Sequence, residues 1–161
     1  MKELHPNVID NKSLIMQYIH KLLIGMFFIA TFGFGQPTFT EHVISDSADV
    51  VTTVYAADMD GDGDMDVLSA SFSDDKIAWY KNDGSESFTE YAISTSAWGA
   101  RFVYAVDVDG DGDMDVLSAS FYDNKIAWYE NDGGESFTEH AINTSALNAL
   151  TVYAVDVDGD G

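Results

Sequence analysis

The chain has no cysteine and few basic residues, and both shortages narrow what it can do. Its 161 residues include no Cys, which excludes a disulfide framework, thiolate zinc sites and thiol nucleophiles. Only seven Lys and Arg stand against 28 Asp and Glu, and the formal net charge is −21. So acidic a chain has no electrostatic footprint for nucleic acid or for an anionic lipid surface. We therefore expect no nucleic-acid partner.

Long hydrophobic runs are also scarce, and the clearest one is short. Residues 22–32 are mostly apolar, whereas a membrane-spanning helix needs around 20 apolar residues. The run follows a short polar, slightly basic stretch that starts at Met16, and it precedes Gly33 and Gly35. This layout is typical of a secretory signal peptide, with cleavage expected after Gly35. The alternative is a buried strand or helix of the mature fold.

This leader predicts the organisation and the location of the chain. We expect residues 1–35 to be an N-terminal extension with a signal peptide, in which translation starts at Met16. Residues 36–161 would then form the mature protein, either secreted or on the cell surface. No membrane insertion is expected after the signal peptide is removed.

The mature region is a repeat. An Asp-rich segment at 58–66 returns at 107–115 and begins again at 156–161. Aligning residues 58–106 with residues 107–155 gives 38 identities in 49 positions. A period of this length is typical of a repeat architecture, in which each unit packs on its neighbours.

Each repeat unit is predicted to be β rather than helical. Its apolar segments are rich in β-formers, lack a 3.6-residue stripe, and are separated by turn residues. Ile77-Ala78-Trp79-Tyr80 is apolar on both faces, as expected for a strand stacked between two sheets. The strands predicted for one unit are 102–107, 115–121, 124–130 and 136–142. Four short antiparallel strands per repeat describe a propeller blade, so the predicted fold is an all-β, incomplete β-propeller of about two and a half repeats.

The Asp-rich loops are predicted to bind a hard cation. Alternating carboxylates repel one another unless a positive charge lies among them, and the two glycines in each loop let the backbone curl so that the side chains converge. Ca²⁺ takes six to eight oxygen ligands and suits this pattern. An EF-hand is excluded because Ser69 and Ser118 stand where its closing Glu belongs. The alternative is a solvated acidic turn.

The predicted ligands follow the same spacing in each loop, with Asp64 and Asp113 acting through their backbone carbonyls. The metal positions are Asp58, Asp60, Asp62, Asp64 and Asp66 in the first loop, Asp107, Asp109, Asp111, Asp113 and Asp115 in the second, and Asp156, Asp158 and Asp160 in the third.

Catalytic chemistry is not evident, and we expect that the chain is not an enzyme. The serines alternate along predicted strands without a G-x-S-x-G elbow. His42 and His140 occupy equivalent positions of the repeat, as surface residues would. Calcium held by aspartates activates water poorly compared with zinc.

Residues 102–120 resemble the FG-GAP/VCBS repeat, the unit of integrin-α-like β-propellers and of many secreted bacterial proteins. The resemblance covers essentially everything after Gln36. It implies a seven-bladed propeller with structural Ca²⁺ in the loop between the first two strands of several blades. It also implies a role in adhesion or extracellular recognition, or as an accessory module of a secreted enzyme.

Seven blades would need more than twice this length, and the sequence stops inside its third acidic loop. We therefore expect that this chain is the front end of a longer protein whose C-terminal sequence supplies the rest of the propeller. Self-assembly of short chains into a ring is the alternative. An isolated piece should expose large apolar blade faces.

The expected function is a secreted, calcium-binding β-propeller module that recognises an extracellular protein or carbohydrate. The main alternative is an accessory domain of a secreted enzyme, such as a polysaccharide-degrading one. A calcium-regulated switch is disfavoured because identical loops suggest a scaffold. A ligand is expected where the repeats differ, as at Trp98 and Arg101, which could stack on a sugar ring or hold an anionic group. The alternative role for Trp98 is packing against the neighbouring blade.

Overall fold

The computed structural model describes residues 38–159. The chain divides into two units, Met1–Glu41 and His42–Gly161. In the first unit only residues 38–41 are described, and they contain no helix or strand. The predicted signal peptide and Asp160 lie outside the described residues. Within residues 38–159 there is no helix that could cross a membrane.

The second unit contains two four-stranded antiparallel sheets, which confirms the all-β prediction. Their strand orders are β1-β2-β3-β4 and β5-β6-β7-β8, so each sheet is a simple meander. The first sheet consists of β1 (Val51–Ala57), β2 (Asp66–Ser71), β3 (Lys76–Asn82) and β4 (Phe88–Ser94). The second consists of β5 (Ala100–Val106), β6 (Asp115–Ser120), β7 (Lys125–Asn131) and β8 (Phe137–Asn143). We call these sheets blade 1 and blade 2.

Each predicted strand of blade 2 is present, with boundaries that differ by one or two residues. The largest difference is at β5, which begins at Ala100 rather than at residue 102. The pairing with β6 shifts between Ala100 and Phe102, so Arg101 is the extra residue of a β-bulge. Blade 1 has the same irregularity between Val51 and Thr53. A bulge lets a strand bend and continue its pairing, which a simple alternation pattern does not predict.

The hydrophobic core lies between the two blades. Blade 1 contributes Leu68, Ile77 and Trp79 to it, and blade 2 contributes Val103 and Val116, all of them fully buried. This explains why the middle strands are apolar on both faces, as the sequence predicted. Small residues in β2 and β6 let the sheets approach closely.

Hydrogen bonds and aromatic contacts also join the first strands of the two blades. The Thr52 hydroxyl donates to the carbonyl of Ala100 at 3.0 Å. The rings of Tyr55 and Tyr104 meet edge to face with centroids 5.2 Å apart. Tyr153 meets Tyr104 at the same centroid distance, 5.2 Å. Tyr104 therefore contacts both tyrosines that lie one repeat before and one repeat after it.

Two segments that match strands in sequence are not strands in the structure. Residues 39–44 repeat the sequence of β4 and β8, and residues 151–155 repeat much of β5, yet neither forms a strand. A strand is defined by hydrogen bonds to a neighbouring strand, and a favourable side-chain pattern does not replace that neighbour.

The outer face of blade 1 is apolar and exposed, as the sequence predicted for a piece of a propeller. Val54 is 65% exposed, whereas its repeat equivalent, Val103, is 0% exposed in the core between the blades. Val54 lies in a groove on this face, which is also lined by Ile44, Val67 and Tyr80. Equivalent residues thus have opposite environments in the two blades.

This difference predicts opposite effects for matched substitutions. Val103→Asp should destabilise the protein by about 3 kcal/mol or more, because it places a carboxylate without a partner in the core. Val54→Asp should change the free energy of unfolding by less than about 0.5 kcal/mol, because water already reaches this side chain. Urea denaturation measures both values, and equal costs would contradict the described packing.

Candidate metal centres

The two complete acidic loops connect the first and second strands of their blades. Residues 58–66 lie between β1 and β2, and residues 107–115 lie between β5 and β6, as predicted. Gly63 and Gly112 have positive φ values of 95° and 101°, which few residues other than glycine adopt without strain. The amide of Gly63 donates to Oδ2 of Asp58 at 3.0 Å. The loop therefore curls around its first aspartate.

Each complete loop gathers three carboxylates at one point. Oxygens of Asp58, Asp60 and Asp62 lie within 4.8 Å of one another in the first loop. In the second loop the oxygens within 4.8 Å of one another belong to Asp107, Asp109 and Asp115. Each set of three belongs to the five positions predicted for its loop, and the second set contains Asp115 rather than Asp111, the equivalent of Asp62.

Hydrogen bonds within the loops also involve other predicted ligands. The amides of Asp64 and Asp113 donate to the carboxylates of Asp62 and Asp111, both at 2.9 Å. These bonds turn the loop backbone. In the third loop, the amide of Gly159 donates to Oδ1 of Asp156 at 2.6 Å, as Gly110 does to Asp107 at 2.7 Å. Asp158, the other predicted ligand of this loop within the described residues, is exposed.

The clustered oxygens fit a hard cation. Oδ1 of Asp58 is buried and has no hydrogen-bond partner. A buried carboxylate oxygen without a donor is costly unless a positive charge compensates for it. The donor set contains only oxygen atoms, which suits Ca²⁺ rather than zinc or copper. The residues present therefore fit a calcium ion.

Asp66 and Asp115 anchor the loops to the blades. Both are 0% exposed, and each accepts two backbone hydrogen bonds. Asp66 accepts from the amide of Met59 at 3.1 Å and from the amide of Asn82 at 2.7 Å. Asp115 accepts from the equivalent amides of Val108 and Asn131 at 3.0 and 2.8 Å. Sequence reasoning treated these residues only as ligands, because the second donor comes from the end of a different hairpin.

Asn131 connects the two loops across the blades. Its side-chain amide donates to the carbonyl of Met114 in its own blade at 3.1 Å. It also donates to the carbonyl of Met59 in the first loop at 3.4 Å. The loops are thus parts of one hydrogen-bonded system, which the sequence alone did not reveal.

The two loops differ in their nearest charges. Nζ of Lys81 lies 2.7 Å from Oδ2 of Asp60 and 3.4 Å from Oε1 of Glu135. At the equivalent position blade 2 has Glu130, whose Oε2 lies 2.6 Å from Nε2 of His140. The first loop therefore has a protein cation beside it, and the second has an additional carboxylate. The signal in the sequence was the Lys81/Glu130 mismatch between otherwise similar repeats.

This difference also changes the acidity of equivalent aspartates. Burial alone would raise the pKa of Asp60, but the hydrogen bonds from Lys81 and from the amide of Asp62, together with the charge of Lys81, outweigh it and lower the pKa below its ordinary value. Burial raises the pKa of Asp109, and the charges of Asp111, Asp115 and Glu130 add to that effect. Without metal, the second loop thus has more uncompensated negative charge.

The paired blades and their acidic hairpin loops define a β-propeller-like repeat module. The family model described as FG-GAP-like repeat matches residues 58–118 and 107–161. The chain therefore belongs to the FG-GAP-like repeat family, which confirms the resemblance found in the sequence. Repeats of this family often bind Ca²⁺, and the family is typically non-catalytic. No curated protein matches the chain.

The anchoring role of Asp66 can be separated from metal binding. In the presence of a chelator, Asp66→Asn should destabilise the protein by about 2–4 kcal/mol, because it presents an NH₂ group to a backbone amide that needs an acceptor. The control Asp62→Asn keeps an acceptor in an exposed loop and should cost less than about 0.5 kcal/mol. Urea denaturation measures the free energy of unfolding of both variants. An equally small loss in the two would contradict the anchoring role of Asp66.

Proposed function

We propose that the chain is an extracellular calcium-binding β-propeller repeat module that serves recognition or adhesion. The observation that carries the proposal is the convergence of three carboxylates within 4.8 Å in each complete loop. The buried Oδ1 of Asp58, which lacks a hydrogen-bond partner, adds support. Membership of a family whose repeats often bind Ca²⁺ points the same way.

The proposed role of calcium is structural. The ion would be held by Asp58, Asp60 and Asp62 in the first loop, and by Asp107, Asp109 and Asp115 in the second. Its positive charge would offset the repulsion among these carboxylates. Each loop joins the first two strands of a blade, so a bound ion would fix the geometry of that hairpin.

The proposed location agrees with this chemistry. The leader pattern in the first 35 residues, which lies outside the described residues, favours export. Extracellular modules bind Ca²⁺ with dissociation constants of about 10⁻⁴–10⁻³ M, so even weak loops of this kind would be filled there. The constant loops would act as scaffold, and a partner would bind where the repeats differ.

A calcium titration tests the proposal. Isothermal titration should show two ions per chain at the complete loops, and the melting temperature should rise with calcium because ligand binding to the native state stabilises it. Asp58→Asn with Asp60→Asn should remove one ion, and Asp107→Asn with Asp109→Asn should remove the other. Asp46→Asn, in an exposed segment outside the loops, is the control. A folded protein that binds no calcium would overturn the proposal.

The charge difference between the loops predicts unequal affinities. Lys81 competes for Asp60, whereas Glu130 adds negative charge near the second loop, so the second loop should bind calcium more tightly. Lys81→Gln should tighten the first loop roughly two- to fivefold, and Glu130→Gln should weaken the second by a similar factor.

These affinities are best measured by titration of each loop while the other carries its double Asp→Asn substitution. Lys125→Gln serves as the control, because Lys125 pairs with Glu139 away from both loops. Equal affinities that neither substitution changes would contradict the role of the neighbouring charges.

A further inference from the structure

Arg101 is the one Lys or Arg among residues 38–159 that forms no salt bridge. The three lysines in this part of the chain all pair with carboxylates. Lys76 lies 2.7 Å from Glu90, Lys81 lies 2.7 Å from Asp60, and Lys125 lies 2.8 Å from Glu139. An unpaired cation is unexpected in a protein with a net charge of −21.

The guanidinium of Arg101 is held between aromatic rings. Its Cζ lies 4.5 Å from the ring centroid of Phe72 in blade 1 and 5.2 Å from that of Phe121 in blade 2. Its Nε is buried and has no hydrogen-bond partner. A guanidinium over an aromatic ring keeps its N–H donors in its own plane, and with Nε buried the terminal Nη groups are the donors that can bind a carboxylate in a bidentate manner.

Two exposed aromatic side chains extend this cluster. Trp98 is 57% exposed and Tyr122 is 48% exposed, and their ring centroids lie 5.5 Å apart. Tyr122 also contacts the two rings that hold Arg101, with centroid distances of 5.2 Å to Phe72 and 5.2 Å to Phe121. We call these five residues the Arg101 patch.

The backbone fixes the position of the exposed rings. The amide of Tyr122 donates to the carbonyl of Trp98 at 3.0 Å. Gly99 has a φ of +68°, and a Cβ at this residue would lie 2.7 Å from Cδ2 of Tyr122. A side chain at Gly99 would displace the ring of Tyr122, so the glycine allows Tyr122 to lie beside Trp98.

The blade fold does not require the residues that set the patch apart. Trp98 and Arg101 correspond to Leu147 and Leu150 in the next repeat, and Tyr122 corresponds to Ser73 in the preceding one. The two blades have the same strand order and the same bulges without these side chains in common. Trp98 and Arg101 are therefore specific to this blade connection and are not part of the constant repeat.

Among the described residues, no carboxylate pairs with the charge of Arg101. The turns next to Phe72 and Phe121 contain Asp74, Asp75 and Asp123, which bond to other groups, although Oδ1 of Asp74 and Oδ1 of Asp123 are buried without a hydrogen-bond partner. Asp74 and Asp123 pair with Lys76 and Lys125 at 3.5 and 3.7 Å, and Asp75 accepts from the amide of Gly99 at 2.8 Å. The acidic loop of blade 2 begins six residues further along the chain, about 20 Å away at the rise of a strand. Salt screens charges over about 8 Å, so that loop does not cancel Arg101.

We propose that the Arg101 patch binds a uronic acid residue of a carbohydrate. The apolar face of the pyranose ring would stack on Trp98 and Tyr122, whose ring faces attract C–H groups, while the sugar carboxylate pairs with Arg101. The net charge of the protein repels a long polyanion, which favours an isolated uronate over a continuous run of them. This inference rests on the proposed recognition function and names its ligand class.

The test uses the methyl glycoside of glucuronic acid as the probe and methyl glucoside as its neutral control. The indole N–H signals of ¹⁵N-labelled protein report on its three Trp residues. The uronate should shift the Trp98 signal with a millimolar dissociation constant, and methyl glucoside should bind at least fivefold more weakly. Arg101→Leu should weaken uronate binding at least fivefold, and so should Trp98→Leu, measured by calorimetry.

Both substitutions introduce the residue that the next repeat already has, so the blade should still fold. Leu150→Ala, which trims the exposed residue equivalent to Arg101, should leave uronate binding unchanged. Equal binding of the charged and neutral sugars would overturn the proposal, and so would unchanged uronate binding in Arg101→Leu. Binding of an acidic peptide in place of the uronate would also overturn it. Uronate titrations in calcium and in chelator separate binding at the Arg101 patch from binding at the calcium sites. Even if the acidic loops bind no calcium, uronate should still bind the Arg101 patch.

Discussion

Two buried carboxylates hold the acidic loops to the blades. Asp66 and Asp115 are fully buried, and each joins the start of its loop to the end of the third strand through two backbone amides. Asn131 extends this system to the carbonyl of Met59 in the other blade. The anchors consist of protein groups alone, so they shape the loops through backbone hydrogen bonds. A loop held in this way would lower the ordering cost of the proposed cation binding.

The repeat therefore separates a constant frame from variable positions. The strands, the bulges and the anchoring aspartates recur in both blades. The differences lie elsewhere. Lys81 and Glu130 give equivalent loops opposite neighbouring charges, and Trp98 with Arg101 gives one blade connection a surface that the next repeat lacks. Function is proposed at these positions because the frame does not need them.

Much of the fold could be predicted from the sequence, because the repeat displays its pattern twice. The apolar segment at Ile77–Tyr80 indicated a strand covered on both faces, and the glycines at 63 and 112 indicated the curled loops. What could not be predicted depends on groups brought together from different blades. The bond from Asn131 to Met59, and the position of Arg101 between Phe72 and Phe121, arise only when the sheets pack. The bulge at Arg101 was missed for a similar reason, since it appears only in the pairing of β5 with β6.

Diffraction from crystals grown with calcium, recorded at a long wavelength where calcium scatters anomalously, would test whether the anchored loops of residues 58–66 and 107–115 hold a cation. The expected result is an anomalous peak among the carboxylates of each loop, with Asp66 and Asp115 still bonded to the backbone amides. Loops that keep this geometry in millimolar calcium without an anomalous peak would contradict cation binding by the anchored loops.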